Sequence, residues 1–109
     1  MSDLASRRCE SSGAGKEPLT LEQVRKLHAQ LDVRWKVKAE GLTAEFDFPD
    51  YFRTTAFVNA VAWMSHQQDH HADISFSYNR ATISYWTFSV AALSLNDFIC
   101  AARIDGLFR

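Results

Sequence analysis

The chain has 109 residues, 47% of them hydrophobic and 23% charged, with a formal net charge of −1. That length suits one domain around one core. The balanced charge excludes the general electrostatic pull of a nucleic-acid or membrane-surface binder. No stretch is long and apolar enough to span a bilayer, and the N-terminus lacks the apolar centre of a signal peptide. Cys9 and Cys100, the only cysteines, make neither a disulfide framework nor a metal cluster, which points to a reducing cytoplasm.

Residues 1–17 read as a disordered, solvated tail, because Ser11-Ser12-Gly13-Ala14-Gly15 is flexible and little nearby is apolar. Residues 18–109 then form the domain. Thr20 and Gln23 make a capping-box pattern, with Leu19 and Val24 as the hydrophobic staple. Val24, Leu27 and Leu31 follow as a narrow apolar stripe at helical spacing. Trp35-Lys36-Val37-Lys38 alternates as a strand, Glu40-Gly41 turns, and Leu42 to Phe48 alternates again, with Leu42, Ala44, Phe46 and Phe48 on one face.

Pro49 stops that strand and Asp50 caps a helix from Tyr51 to Gln68. Its centre, Ala56 to Met64, is apolar nearly all round apart from Asn59, which predicts burial nearly all round. A single sheet cannot provide that, so a neighbouring helix or a second subunit is expected. Ile74, Phe76 and Tyr78 alternate as a third strand, and Asn79-Arg80 turns. Thr82 to Phe88 reads as a fourth strand, with Ile83, Tyr85 and Thr87 on one face and Thr82, Ser84, Trp86 and Phe88 on the other. Ser94 and Asp97 form a second capping box, with Leu93 and Phe98 as its staple, opening a last helix. The order α-β-β-α-β-β-α predicts an α+β fold, a four-stranded antiparallel sheet with three helices on one face.

The candidate site is the pair His70 and His71, at the boundary between a helix and a hairpin. Imidazole titrates near neutrality, and an element boundary can hold it at the rim of a pocket, which suits acid–base chemistry. A metal is the weaker reading. His66 and His70 are four apart on one predicted helical face beside Asp69, but a third and a fourth ligand are missing. Histidines meeting the negative end of a helix account for that spacing. Phe88, at the end of the last predicted strand, comes back toward the pair.

The run His70-His71-Ala72-Asp73-Ile74, then Tyr78-Asn79-Arg80, Thr87, Ala91-Ala92-Leu93-Ser94 and Asp97 resembles the pterin-4a-carbinolamine dehydratase family. That family is also known as a dimerisation cofactor of a homeodomain transcription factor. The likeness extends back through Trp35, Phe46 and Phe48 and forward from Ala101 to Asp105. It implies the fold just read and a dimer or tetramer. It also implies removal of water from a 4a-hydroxy-tetrahydropterin to give quinonoid dihydropterin, in tetrahydrobiopterin recycling. His70 and His71 match the family's histidine pair, which acts as general acid and base, with no metal and no cofactor.

The chain departs from the family at four places. Ala72 stands where the family has proline, Trp86 where a small polar residue is usual, and Ala92 where a glycine is. Thr87-Phe88-Ser89 replaces a threonine, a third histidine and an acid, so Phe88 takes the place of an imidazole. Asp97 is kept, as a helix cap would also require. One acid–base group is worth roughly 10²–10⁴-fold in rate. The departures, with Trp86 and Phe88 crowding a pocket edged by Ala72 and Asp73, therefore predict weak or lost dehydratase activity. Such an eroded site resembles the branch of RuBisCO assembly factors of α-carboxysome-containing bacteria. That likeness implies a chaperone that contacts the RuBisCO large subunit or another protein, associated with the carboxysome. An active dehydratase is the alternative, and a coactivator-like oligomer without direct nucleic-acid contact is a third reading.

Overall fold

A computed structural model of the chain describes residues 4–10, 13–39 and 41–108. The elements run α1 (Leu21–His28), β1 (Lys36–Lys38), β2 (Gly41–Asp47), α2 (Tyr51–Gln67), β3 (Asp73–Phe76), β4 (Arg80–Tyr85) and α3 (Leu95–Gly106). This is the predicted order. The strands form one antiparallel sheet, β1-β2-β4-β3, with Ala44 facing Ile83 and Ile74 facing Ile83 from the other side.

Period-two alternation decides which face meets the helices. Leu42, Ala44 and Phe46 of β2 and Ala81, Ile83 and Tyr85 of β4 are all buried. Between them, Glu45 and Asp47 point to the open face, where both contact Arg80. Gly41 takes a φ of +137°, and a Cβ there would lie 2.5 Å from the Tyr85 carbonyl oxygen. Only glycine lets β2 begin so close to β4.

The helix starts follow local chemistry. Thr20 and Gln23 exchange both capping-box hydrogen bonds, and the Asp50 carboxylate accepts from the Arg53 amide at 2.8 Å. α3 is the central helix, with Phe98, Ile99, Cys100, Ala101 and Ile104 within the core. Trp35 is wholly buried and donates its indole N–H to Asp105 Oδ1 at 2.9 Å, while the other oxygen accepts from the Asp32 amide. This carboxylate joins the entry of β1 to the end of α3.

The structure bears on two expectations. α2 buries only the stripe Thr54, Phe57, Val61 and Ser65 within the chain, and leaves Phe52 78% and Trp63 63% exposed. The sheet and α3 pack on the buried side of α2, and among the described residues nothing covers Phe52 or Trp63, which leaves that side to the expected second subunit. The N-terminal segment also departs from the solvated tail read from its composition. Two 3₁₀ turns, Leu4–Ser6 and Gly13–Lys16, lie against α3. Leu4 is buried, and Arg103 donates to the Arg7 carbonyl through Nε at 3.0 Å and Nη2 at 2.5 Å. Asn96 exchanges two hydrogen bonds with the Glu10 backbone. Gly15 is buried, and a Cβ there would lie 2.7 Å from Asn96 Oδ1. It is a site of close approach, which composition alone reads as flexibility. Ser11, Ser12 and residues 1–3 lie outside the described residues. Among those described, no helix is long and apolar enough to cross a membrane.

Candidate active site

The two histidines are parted by one backbone feature. α2 ends at Gln67, and Asp69 then takes a φ of +52°, a left-handed conformation that aspartate tolerates better than most residues. The chain reverses there, and the His70 amide donates to the Ser65 carbonyl at 3.0 Å. His70 turns inward and is buried, whereas His71 stays exposed. His70 therefore does not continue the helical face of His66. It is His71 whose ring approaches His66, with centroids 5.8 Å apart. The shared His66–His70 face read from spacing is thus corrected. Among the described residues, no three histidine, cysteine or acidic side chains gather to hold a metal ion.

His70 is fixed by both of its surfaces. Its ring stacks on Tyr85 with centroids 5.9 Å apart and planes 9° from parallel. Its Nε2 lies 2.5 Å from Asp97 Oδ1. The other carboxylate oxygen, Oδ2, accepts from Thr87 Oγ1 at 2.8 Å and from the Ser94 amide at 2.9 Å. Thr87 and Ser94 hydroxyls are 2.7 Å apart, so with Thr87 donating to Asp97, Ser94 donates to Thr87. An acceptor-only carboxylate in this network assigns the proton to His70 Nε2. Asp97 has no exposure at all. It closes the start of α3 and also holds the histidine, so the capping role read from sequence is half of its work.

Tyr85 completes the backing. Its hydroxyl pairs with Ser65 Oγ at 2.6 Å, and burial pushes its phenol far above the usual range. It is a neutral, rigid plate behind the imidazole.

These groups back a cleft of about 290 Å³ that His70, His71, Ala72, Asp73, Trp86, Thr87 and Phe88 line. That volume sits near the lower end for small-molecule sites. The residues brought together from sequence thus do meet. Phe88, however, is not on a strand. β4 ends at Tyr85, Thr87 pairs with Ala92 as an isolated bridge, and Ala91 adopts a φ of +50° in the turn between them. Phe88 is 71% exposed and edges the cleft without filling it, while Trp86 is half-buried beside it. The expected crowding by both aromatic rings is therefore limited to Trp86.

Lys16 also lines this cleft, brought there by the N-terminal segment packed on α3. Sequence reasoning missed it, since no motif marks it and only long-range contacts place it. Thr87 and Ser94 were legible as a strand residue and a cap. Their joint hold on Asp97 depends on the bridge that brings residues 87 and 92 together.

Comparison with known proteins agrees with this architecture. A sequence model of the family described as pterin 4 alpha carbinolamine dehydratase matches residues 17–107. A protein of Nitrosospira multiformis, named provisionally as such a dehydratase, is 46% identical over 107 residues, covering 98% of this chain and 94% of that protein. A Legionella pneumophila protein with the same provisional name is 39% identical over 108 residues, covering 97% and 96%. The crystal structure of a Brucella melitensis transcriptional coactivator/pterin dehydratase superposes with a TM-score of 0.78 at 24% identity, over 84% of this chain and 98% of that one. The structural match speaks for the fold alone. The matched span and the identity of the relatives show that this chain belongs to the pterin-4a-carbinolamine dehydratase family.

Proposed function

We propose that the cleft binds a 4a-hydroxy-tetrahydropterin and removes water from it, at a rate lowered by the absence of a third imidazole. The observation that carries this reading is the intact support of His70. Asp97, Thr87, Ser94 and Tyr85 hold a buried imidazole in one tautomer beside an exposed one, an arrangement that serves acid–base chemistry. In the dehydration, the C4a–O bond breaks, the hydroxyl leaves with a proton as water, and N5 loses its proton as the C4a=N5 bond forms. His71, open to the cleft, is the residue free to exchange protons with the substrate. His70 presents a fixed edge against which the ring system docks. Phe88 offers a face for stacking and no proton.

The test is turnover of 4a-hydroxy-tetrahydropterin against its spontaneous dehydration. We expect a rate above background, lost in His71→Ala by roughly 10²-fold or more and raised in Phe88→His. No enhancement in the unmodified chain, together with no gain in Phe88→His, would overturn the enzymatic reading. The favoured account would then be a scaffold for protein capture, of the kind used in RuBisCO assembly. The exposed rings of Phe52, Trp63 and Phe88 speak for that second reading.

The uncovered side of α2 supports a homo-oligomer. A helix with Phe52 and Trp63 in water gains by pairing with a second copy. Trp63→Glu is expected to shift the protein to monomer in sedimentation at micromolar concentration. An unchanged sedimentation profile would place the contact elsewhere.

A further inference from the structure

The thiols of Cys9 and Cys100 are 3.5 Å apart although 91 positions separate them in the chain. Both are free; Cys100 is buried within α3 and Cys9 is half-buried in the N-terminal segment. The backbone around Cys9 is held on several sides. Its amide donates to Gln68 Oε1 at 2.8 Å. The neighbouring Glu10 amide donates to Asn96 Oδ1 at 3.0 Å, and the Glu10 carbonyl accepts from Asn96 Nδ2 at 2.7 Å. Arg103 grips the Arg7 carbonyl on the other side. The two sulfurs therefore face each other across an anchored junction, and closing them to a bonded distance needs a shift of about 1.5 Å.

We propose that Cys9 and Cys100 form a reversible intramolecular disulfide that staples the N-terminal segment to α3, with a hydroperoxide as the oxidant. The two thiols differ in reactivity. The hydrogen bond between the two thiols, helped by the nearby Arg103 charge, holds the Cys9 thiol below the ordinary thiol range against the opposing effect of burial. The same bond, together with burial, pushes the Cys100 thiol well above it. Cys9, which solvent reaches while Cys100 is buried, is thus the attacking thiolate. It takes the nearer peroxide oxygen, forming an S–O bond as the O–O bond breaks, and the departing hydroxide leaves as water with one proton. Cys100 then attacks the Cys9 sulfur. The S–S bond forms, the S–O bond breaks, and the second oxygen leaves as water with the Cys100 proton. Two thiols give up two electrons and the peroxide accepts them.

The chemistry is independent of the histidine cleft, so it stands or falls apart from the dehydratase reading. It bears on the cleft in one respect. Further along the same segment lies Gly13–Lys16, and Lys16 lines the cleft.

The experiment treats the reduced, full-length protein with a slight excess of hydrogen peroxide, then alkylates it under denaturing conditions and weighs it. The expected result is joint loss of both thiols in a single chain, a mass lower by about 2 Da, and full recovery with dithiothreitol. Trypsin cleavage after Arg7 and Arg8 in the folded protein is expected to slow by roughly tenfold on oxidation. In Cys9→Ser, a change at the more accessible position, Cys100 is expected to survive the same dose as a thiol. The proposal is overturned by persistence of both thiols, by Cys9 rising to the sulfinic acid while Cys100 stays free, by a bond between chains, or by equal loss of Cys100 in Cys9→Ser.

Discussion

Asp97 is the residue whose removal best separates a structural cap from a carboxylate that also sets a histidine. Its side chain is fully buried and accepts from three donors, His70 Nε2, Thr87 Oγ1 and the Ser94 amide. In Asp97→Ala, the Thr87 hydroxyl can turn to Ser94 Oγ, only 2.7 Å away. The His70 N–H and the Ser94 amide keep no partner. Two buried donors left unsatisfied cost about 1–3 kcal/mol each, so the expected loss is about 4 kcal/mol. Asp97→Asn preserves the shape. Its carbonyl oxygen can still accept from Thr87 and Ser94, but its amide nitrogen must then donate to His70 Nε2. The proton moves to Nδ1, and the expected stability loss falls to about 1–2 kcal/mol. Urea denaturation followed by tryptophan fluorescence, at one protein concentration, measures both losses. Nitrogen-15 shifts of the His70 ring report the tautomer. A loss below about 1 kcal/mol in Asp97→Ala, or a ring still protonated at Nε2 in Asp97→Asn, would refute the network as drawn.

Tyr85 and Gly41 give two further tests. Burial holds the Tyr85 phenol neutral in the folded chain well above its usual range, whereas the unfolded chain ionises it near pH 10. Its contribution to stability is therefore complete below about pH 10 and is lost as pH rises beyond it, by about 1.4 kcal/mol per pH unit. Tyr85→Phe should lessen the alkaline decline of the urea midpoint between about pH 10 and 11, and parallel declines in the two proteins would show that the phenol is not the cause. In Gly41→Ala, a Cβ placed 2.5 Å from the Tyr85 carbonyl at a φ of +137° should cost about 2–4 kcal/mol. A thermal midpoint equal to the parent's would mean that β2 can shift away from β4 freely.

Much of the fold was legible because its signals are local. Thr20 with Gln23, Asp50, and Ser94 with Asp97 each mark a helix start through contacts a few residues long, and the alternation of Leu42, Ala44 and Phe46 sets a face without reference to anything distant. What was misread depends on the backbone or on remote partners. Thr82 to Phe88 contains only good strand formers, so nothing in that run announces that β4 stops at Tyr85. The turn that follows is carried by Ala91 at a φ of +50°, where a glycine would have given it away. The parting of His70 from His71 rests in the same way on Asp69. The N-terminal segment is polar enough to pass for a solvated tail. Its order comes from Asn96, Cys100 and Arg103, far along the chain, and no window of sequence contains both halves of those contacts.

The placement of α3 bears on how the chain comes to be folded at all. It follows every other element in the sequence, yet it supplies the middle of the core and the surface on which Leu4, Cys9 and Glu10 rest. During synthesis from the N-terminus, the sheet and α2 emerge with Trp35, Phe46 and Tyr85 still lacking the helix that covers them. The pairing of β2 with β4 can begin on the ribosome, but the domain cannot close until α3 has left the exit tunnel. Until then the nascent chain carries an open apolar face and an unpacked leading segment, so the last helix of the domain to be made is the one that commits it to its native state.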